Sequence, residues 1–316
     1  MGAASTAGGG LQLAELNLEA GRRGKDSVAY ASALSYLERG VALLPEGAWM
    51  ERHDLAYALH KDLLECQYLC GAIEQAQDTA ALLLRHVRDR LERAEVQSLR
   101  MILATALNRM NEVLELGYPA LRDLGMRLPR DPAAVRRAQR LETWRIQRRL
   151  LGRSIASLAE GPPLRDPLHL ARLNVMAQMI PALYYTDMES SHLVYLQMAR
   201  LSMQHGHLPV TPIAYLGLGR YLGEKRGRFG QRRQFGEVGL QLAEHYGSQA
   251  LLCKVLFLYG GFIHGWSDTA EDSADHLRRA FEAGMASGDL VWACYANNVM
   301  CMQLVFLGRP YAEIEA

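Results

Sequence analysis

Gly217-Leu218-Gly219-Arg220-Tyr221-Leu222-Gly223-Glu224-Lys225 is the stretch nearest to a phosphate-binding loop. Such a loop needs Gly, four residues, then Gly-Lys-Ser/Thr, so that successive backbone N–H groups and a lysine cradle the phosphates. Here the spacing is wrong, Glu224 precedes Lys225, and no strand leads in. Small residues that let two helices approach explain the stretch better, so neither ATP hydrolysis nor tight ATP binding is expected. Cys66 and Cys70 lie four apart on one helical face, but no second Cys or His pair of zinc spacing follows. Buried cysteine acting as a small hydrophobe is the expected role. His205-Gly206-His207 sits at a helix end, where imidazole complements the dipole, and a surface role is expected. No Ser-His-Asp, HExxH or paired-carboxylate arrangement is evident, so no catalytic, cofactor-binding or metal-ligating residue is assigned.

Two basic stretches stand out. Arg136, Arg137, Arg140, Arg145, Arg148, Arg149 and Arg153 form the denser one; Lys225, Arg226, Arg228, Arg232 and Arg233 form the other. With a formal net charge of only +1, solvated helix faces or a docking surface for an acidic partner domain fit better than nucleic acid. Tyr184, Tyr185, Tyr195, Tyr215, Tyr221, Trp266 and Trp292 crowd the second half. Beside Arg220 and His192 they could line a groove for a peptide or small ligand; an ordinary core with outward hydroxyls is the plainer reading.

The elements that must position these residues are helical throughout. The chain has 316 residues, 49% hydrophobic and 22% charged, enough to bury a large core. Leu, Ala, Arg and Glu dominate, a composition that favours helix over strand. Tyr30, Leu34, Leu37, Val41 and Leu44 alternate steps of four and three, as do Val96, Leu99, Leu103, Ala106 and Met110. Helices are expected at 11–22, 26–44, 48–70, 73–87, 90–108, 110–124, 131–151, 165–180, 187–206, 209–224, 228–246, 248–264, 268–287 and 289–307, with another starting after Pro310. Residues 1–10, small and Gly-rich, read as a flexible leader rather than a signal peptide. Five cysteines inside apolar helical stretches suit a reducing cytosol, and no apolar run is long enough to insert into a membrane.

So many short-linked helices point to stacked antiparallel pairs. The expected fold is all-α over 11–316, a TPR-like α-α superhelix, right-handed and essentially without β-structure. Tight turns are expected at Val28-Ala29-Tyr30, Gly71-Ala72-Ile73, Asn108-Arg109-Met110, Gly227-Arg228-Phe229 and Gly308-Arg309-Pro310. The Pro-punctuated stretch from Leu128 to Pro167 separates a first set of repeats from a second.

Tyr30 to Pro45 resembles the first repeat in the helical region of large bacterial hybrid signalling kinases. Leu63 to Gly71, Arg153-Ser154-Ile155, Pro181 to Asp187, Leu256 to Ile263, Arg278 to Gly284 and Gly288 to Val291 look like its later landmarks. The resemblance runs from about Leu13 to the last residue. An Asn-His pair usual in that family reads His264-Gly265 here, before Trp266. Those kinases join a serine/threonine protein-kinase-like module, an AAA-type predicted ATPase, the helical repeats, a GAF sensor and a two-component histidine kinase. The resemblance therefore implies a piece of a longer multidomain protein, and Glu315-Ala316 ends within a helix without a cap. It implies a non-catalytic, cytoplasmic scaffold whose partners are adjoining ATPase, sensor or kinase domains, or another protein. The alternative is a small-ligand-sensing solenoid like the helical arm of signal-transducing ATPase transcription activators. In either case the concave face would carry the function, and Tyr215, Arg220, His264 and Trp266 are expected to line it.

Overall fold

A computed structural model describes residues 2–263 and 270–310, with the side chains of 9–263 and 272–310. Among the described residues there are fifteen α-helices and no strand; Pro163 and His207 form an isolated parallel bridge. The chain divides into two compact units, Met1–Arg127 and Leu128–Ala316. The division falls at the start of the Pro-punctuated stretch.

Unit 1 holds α1 (Gly2–Asp26), α2 (Tyr30–Ala42), α3 (Ala48–Glu51), α4 (His53–Leu69), α5 (Ile73–His86), α6 (Arg90–Ala106) and α7 (Met110–Asp123). Apart from the single turn of α3, each helix packs on the next, and α4 also touches α1 and α6. α1 begins inside the segment expected as a leader, where Ala3, Ala4 and Ala7 favour helix. The expected helix over 48–70 is broken at Arg52, whose φ of −136° and ψ of 47° leave the helical region. Ala33, Leu37, Leu59 and Cys66 form one core, and Leu64, Leu83, Val96 and Leu103 another.

Unit 2 holds α8 (Pro132–Leu150), a 3-10 turn (Ala156–Glu160), α9 (Pro167–Thr186), α10 (Met188–His205), α11 (Thr211–Arg226), α12 (Phe229–Tyr246), α13 (Gln249–Leu258), a π-turn (Tyr259–Ile263), α14 (Ala270–Ser287) and α15 (Leu290–Phe306). Asp131 and Asp166 cap α8 and α9 and are each followed by a proline at the first helical position, which loses no intrahelical hydrogen bond there. α9 continues through Pro181 to Thr186 rather than stopping at 180, because Ala182 and Leu183 bury fully on the next turn. The helix expected after Pro310 falls outside the described residues.

One turn recurs between paired helices. Val28, Gly71, Asn108, Gly227 and Gly288 all have φ between 56° and 76°. The residue after each has φ of −80° to −94° and ψ of 59° to 68°, and the second helix starts immediately. In all five that residue's N–H closes on the first helix at 2.8–3.0 Å, from Ala29, Ala72, Arg109 and Asp289 to the carbonyls of Gly24, Gln67, Ala104 and Gly284, and from Arg228 to that of Leu222, one residue further back. The fourth residue of each second helix, Ala33, Ala76, Val113, Arg232 or Ala293, is buried. Four of the five expected turns belong to this series, Gly308 shares the left-handed φ at 69°, and Gly288 is an addition.

Val28 is the costly member, because a β-branched residue pays about 1–2 kcal/mol in the left-handed region. Its side chain is exposed and carries no core contact. Val28→Gly is therefore expected to stabilise unit 1 by about 0.5–1 kcal/mol despite the greater freedom of the unfolded chain. Urea denaturation followed by circular dichroism reads the change, and a lower midpoint would contradict it.

Candidate functional site

α11 carries most of the residues singled out from the sequence, and the helices around it decide what they can do. It packs against α10, α12, α13 and the π-turn. Its residues are small or apolar on nearly every face, so Thr211 through Gly219 are largely buried. Tyr215 is 0% exposed. Its hydroxyl is hydrogen-bonded to His207 Nε2 at 2.9 Å, with the rings edge to face. Tyr215 is thus a core residue and not a groove residue, a correction that follows from a helix surrounded on several sides. The surface role expected for His207 fails with it. That imidazole is buried, and its backbone is tied to the loop before α9 by His207 N–H to the Pro162 carbonyl (2.8 Å) and Leu164 N–H to the His207 carbonyl (2.9 Å).

Arg220 stays near the surface, with 15% of its side chain exposed, but its guanidinium is already engaged. It lies over the rings of Tyr184 (5.3 Å) and Phe262 (4.6 Å), and its Nε donates to Glu224 Oε1 at 2.7 Å. Glu224 also faces the buried His192 across 3.7 Å. Burial pushes the Glu224 carboxyl up, but His192 and Arg220 outweigh it and hold the group at about 2. Around this core, Lys225 donates to Glu189 at 2.6 Å and Gln139 to the same carboxylate at 3.0 Å. The cluster ties α8, α9, α10, α11 and the π-turn together and presents no nucleophile with an adjacent base. His264 and Trp266, the other two expected groove residues, lie outside the described residues.

Arg232 is a second correction. It sits in a run expected to be a solvated basic face, yet it is 1% exposed. It occupies the turn position filled elsewhere by Ala33, Ala76, Val113 and Ala293. Gly223 on α11 makes the room: a Cβ there would stand 2.6 Å from Arg232 Cδ. Gly219 lies close to the Arg232 carbonyl, and Gly217 faces the Tyr195 ring. The three glycines of the apparent phosphate loop are therefore helix-packing residues, as their spacing suggests.

No known protein-family profile matches the chain. It is similar to hybrid signal transduction histidine kinase G of Dictyostelium discoideum, at 21% identity over 333 aligned residues covering 96% of this chain. The chain spans 10% of that protein's length. A relationship to signalling kinases is thereby supported, at a distance.

Other chemistry-bearing groups fall as follows. Cys66 is buried and its thiol is pushed up to about 11 by burial, whereas Cys70 is exposed just past the end of α4. Among the described residues no group of three or more His, Cys, Asp or Glu side chains is placed to hold a metal, and no helix is long and apolar enough to cross a membrane. A cavity of about 490 Å³ lies between the end of α8, the 3-10 turn and α12, walled by Leu150, Ile155 and Val238 on its apolar side and by Arg153, Gln234 and Glu237 on its polar side. Unit 1 holds a cluster that the linear sequence does not announce: Trp49 stacks on His86 at 4.2 Å and also meets His53 and His60. His53 and His60, seven apart on α4, are its only linear signal.

Burial pushes His60, His169, His205 and His207 all below their ordinary value. As pH falls through about 6.5 the unfolded chain takes up these protons first, so stability drops with acidification. Asp62, Glu189 and Glu224, all lowered, stay ionised in the same window and do not offset it. The urea midpoint is expected to be lower at pH 5 than at pH 7.5, with His207→Gln narrowing the gap in unit 2. An equal or higher midpoint at pH 5 would contradict this reading.

Proposed function

We propose that the chain is a non-catalytic helical-repeat scaffold that relays signals through protein–protein or interdomain contacts within a multidomain histidine kinase. The recurrent turn carries this reading: five helix pairs share one backbone geometry and one buried position. Repeated pairs of this kind stack into TPR-like right-handed superhelices whose surfaces bind other proteins. Similarity to a tenth of a hybrid histidine kinase supports the context. The cytoplasm is the compartment this implies. The partners are the ATPase, sensor or kinase domains that adjoin such repeats, or another protein. Interior packing by Gly217, Gly219 and Gly223 supports the absence of a nucleotide site.

Two measurements test it together. Mg-ATP titrated calorimetrically into the purified chain should give no binding at micromolar concentration, and no phosphate should be released. In the longer protein, replacing residues 11–316 by a flexible linker should leave intrinsic kinase turnover and abolish its response to signal. ATP turnover by the chain, or an intact response without it, would overturn the proposal. A ligand-sensing role is the second reading, favoured by the cavity of about 490 Å³ and its mixed polar and apolar walls. Thermal-shift screening with small polar metabolites discriminates it, since a specific hit weakened by Gln234→Ala would replace the scaffold reading.

A further inference from the structure

α8 carries six arginines and a single glutamate in nineteen residues, within a chain whose net charge is +1. The glutamate does not share the exposed face. Glu142 is buried and accepts from Arg145 Nη1 at 2.9 Å and from Arg200 Nε of α10 at 2.6 Å. Arg136, Arg137, Arg140, Arg148 and Arg149 point to solvent, and no carboxylate of the described residues lies within ion-pair distance of them. Their guanidinium forks are presented without internal carboxylate partners.

Apolar side chains run between them. Leu141 is 45% exposed, Trp144 52% and Leu151 75%. Arg137, Leu141, Trp144 and Arg148 follow one another at steps of four, three and four, the spacing of a helix-packing seam, and the exposed Leu151 follows three residues on, just past the end of α8. Val135, Gln139, Thr143 and Ile146 face the opposite way and are buried in unit 2. α8 is thus packed on one side and carries a second, unoccupied seam on the other. Arg140 and Arg145 flank that seam where interhelical ion pairs form in coiled coils.

We propose that this face of α8 docks an acidic amphipathic α-helix supplied by a partner domain outside this chain. The proposal rests on the scaffold reading above and assigns it a surface and a partner chemistry. Leucine-like residues of the partner would cover Leu141, Trp144 and Leu151, while its carboxylates meet the arginine forks. Nucleic acid fits less well, because Arg148 already covers Trp144 at 4.9 Å and leaves that ring poorly placed to stack on a base. A membrane fits less well, because Arg137 and Arg148 stand within the seam itself and would enter the acyl boundary with it.

The probe is a labelled 21-residue helix with leucine at the seam positions and glutamate at the flanking ones, titrated by fluorescence anisotropy. A copy with lysine for glutamate, a 16-base-pair DNA duplex and vesicles of phosphatidylserine and phosphatidylcholine serve as competitors. The acidic helix should bind and should weaken as salt rises. Trp144→Ala should weaken binding about tenfold, and Arg137→Glu with Arg140→Glu and Arg148→Glu about thirtyfold or more. All these side chains are exposed, so circular dichroism should confirm unchanged helix content. Failure of the acidic helix to bind, equal binding of the lysine copy, or tighter binding of DNA or vesicles at this face would overturn the proposal. Peptide failure with a broken signal response in the linker replacement would remove the α8 assignment alone; an intact response would remove the scaffold reading itself.

Discussion

Gly217→Ala should destabilise unit 2 by about 3 kcal/mol or more, the upper end of overpacking costs. Two effects oppose each other. Alanine gains about 1 kcal/mol over glycine inside a helix. The added Cβ, however, would fall on Cγ and Cδ1 of the buried Tyr195 ring, closer than non-bonded carbons approach. The ring is rigid and has no free volume to enter, so the clash outweighs propensity. Gly219→Ala should behave alike, since its Cβ would stand 2.8 Å from the Arg232 carbonyl oxygen, and backbone cannot rotate away. Gly230, in the first turn of α12, is exposed, and a Cβ added there would meet nothing within 4 Å, so Gly230→Ala should be neutral or mildly stabilising. Urea unfolding of the three variants provides the comparison. A Gly217→Ala protein as stable as its parent would mean that α10 and α11 do not pack as described.

Asp62→Ala should cost unit 1 about 2–3 kcal/mol, at or just below the range for breaking a buried ion pair. Asp62 on α4 is 4% exposed and accepts from Arg22 Nε and Lys25 Nζ of α1, both at 2.8 Å. Arg22 is half exposed and can return to water, but Lys25 is largely buried and would keep only Glu65. Burial pushes Asp62 up, yet its pairing with Lys25 and Arg22 prevails and leaves it lowered. Burial likewise pushes Lys25 down, and Asp62 with Glu65 leaves it raised. The lowered carboxyl contributes stability that is present above its unfolded value and lost as pH falls through the folded one. The raised ammonium contributes stability that is present below its unfolded value and lost as pH rises through the folded one. The tie is therefore complete from about pH 5 to pH 10. Thermal unfolding across pH should show the acid limb below pH 4 reduced in Asp62→Ala. An unchanged acid limb, or a loss under about 0.5 kcal/mol, would show that the tie adds little, as for ordinary surface pairs.

The positions of most helices are legible in the sequence because what sets them is local. Apolar residues at steps of three and four, an Asp or Ser cap, and a left-handed residue at the turn act within a few positions of one another. Periodicity predicts helices over 73–87 and 90–108, and the structure has them at Ile73–His86 and Arg90–Ala106. The arginine run on α8 is solvated as its pattern predicts, since alternation of Arg with Val135, Thr143 and Ile146 already separates an outer face from an inner one. Breaks are less legible: Arg52 interrupts a continuous apolar pattern, and Pro181 fails to end one. Burial beyond that pattern depends on which helices meet. α11 has no polar face for periodicity to reveal, so only its packing against α10, α12 and α13 shows that Tyr215 is interior. The pairing of Tyr215 with His207 crosses the turn at Pro209-Val210, and the approach of Arg220 to Phe262 crosses to the π-turn. Arg232 reads as surface charge in linear sequence and is buried because Gly219 and Gly223 on another helix vacate its space. The all-helical class, four of the five recurrent turns and the outer face of α8 follow from interactions within one or two helical turns, and so are legible in the chain alone. Which polar side chains are buried and paired depends instead on how the helices meet, because desolvation is set by neighbouring helices and not by the local pattern.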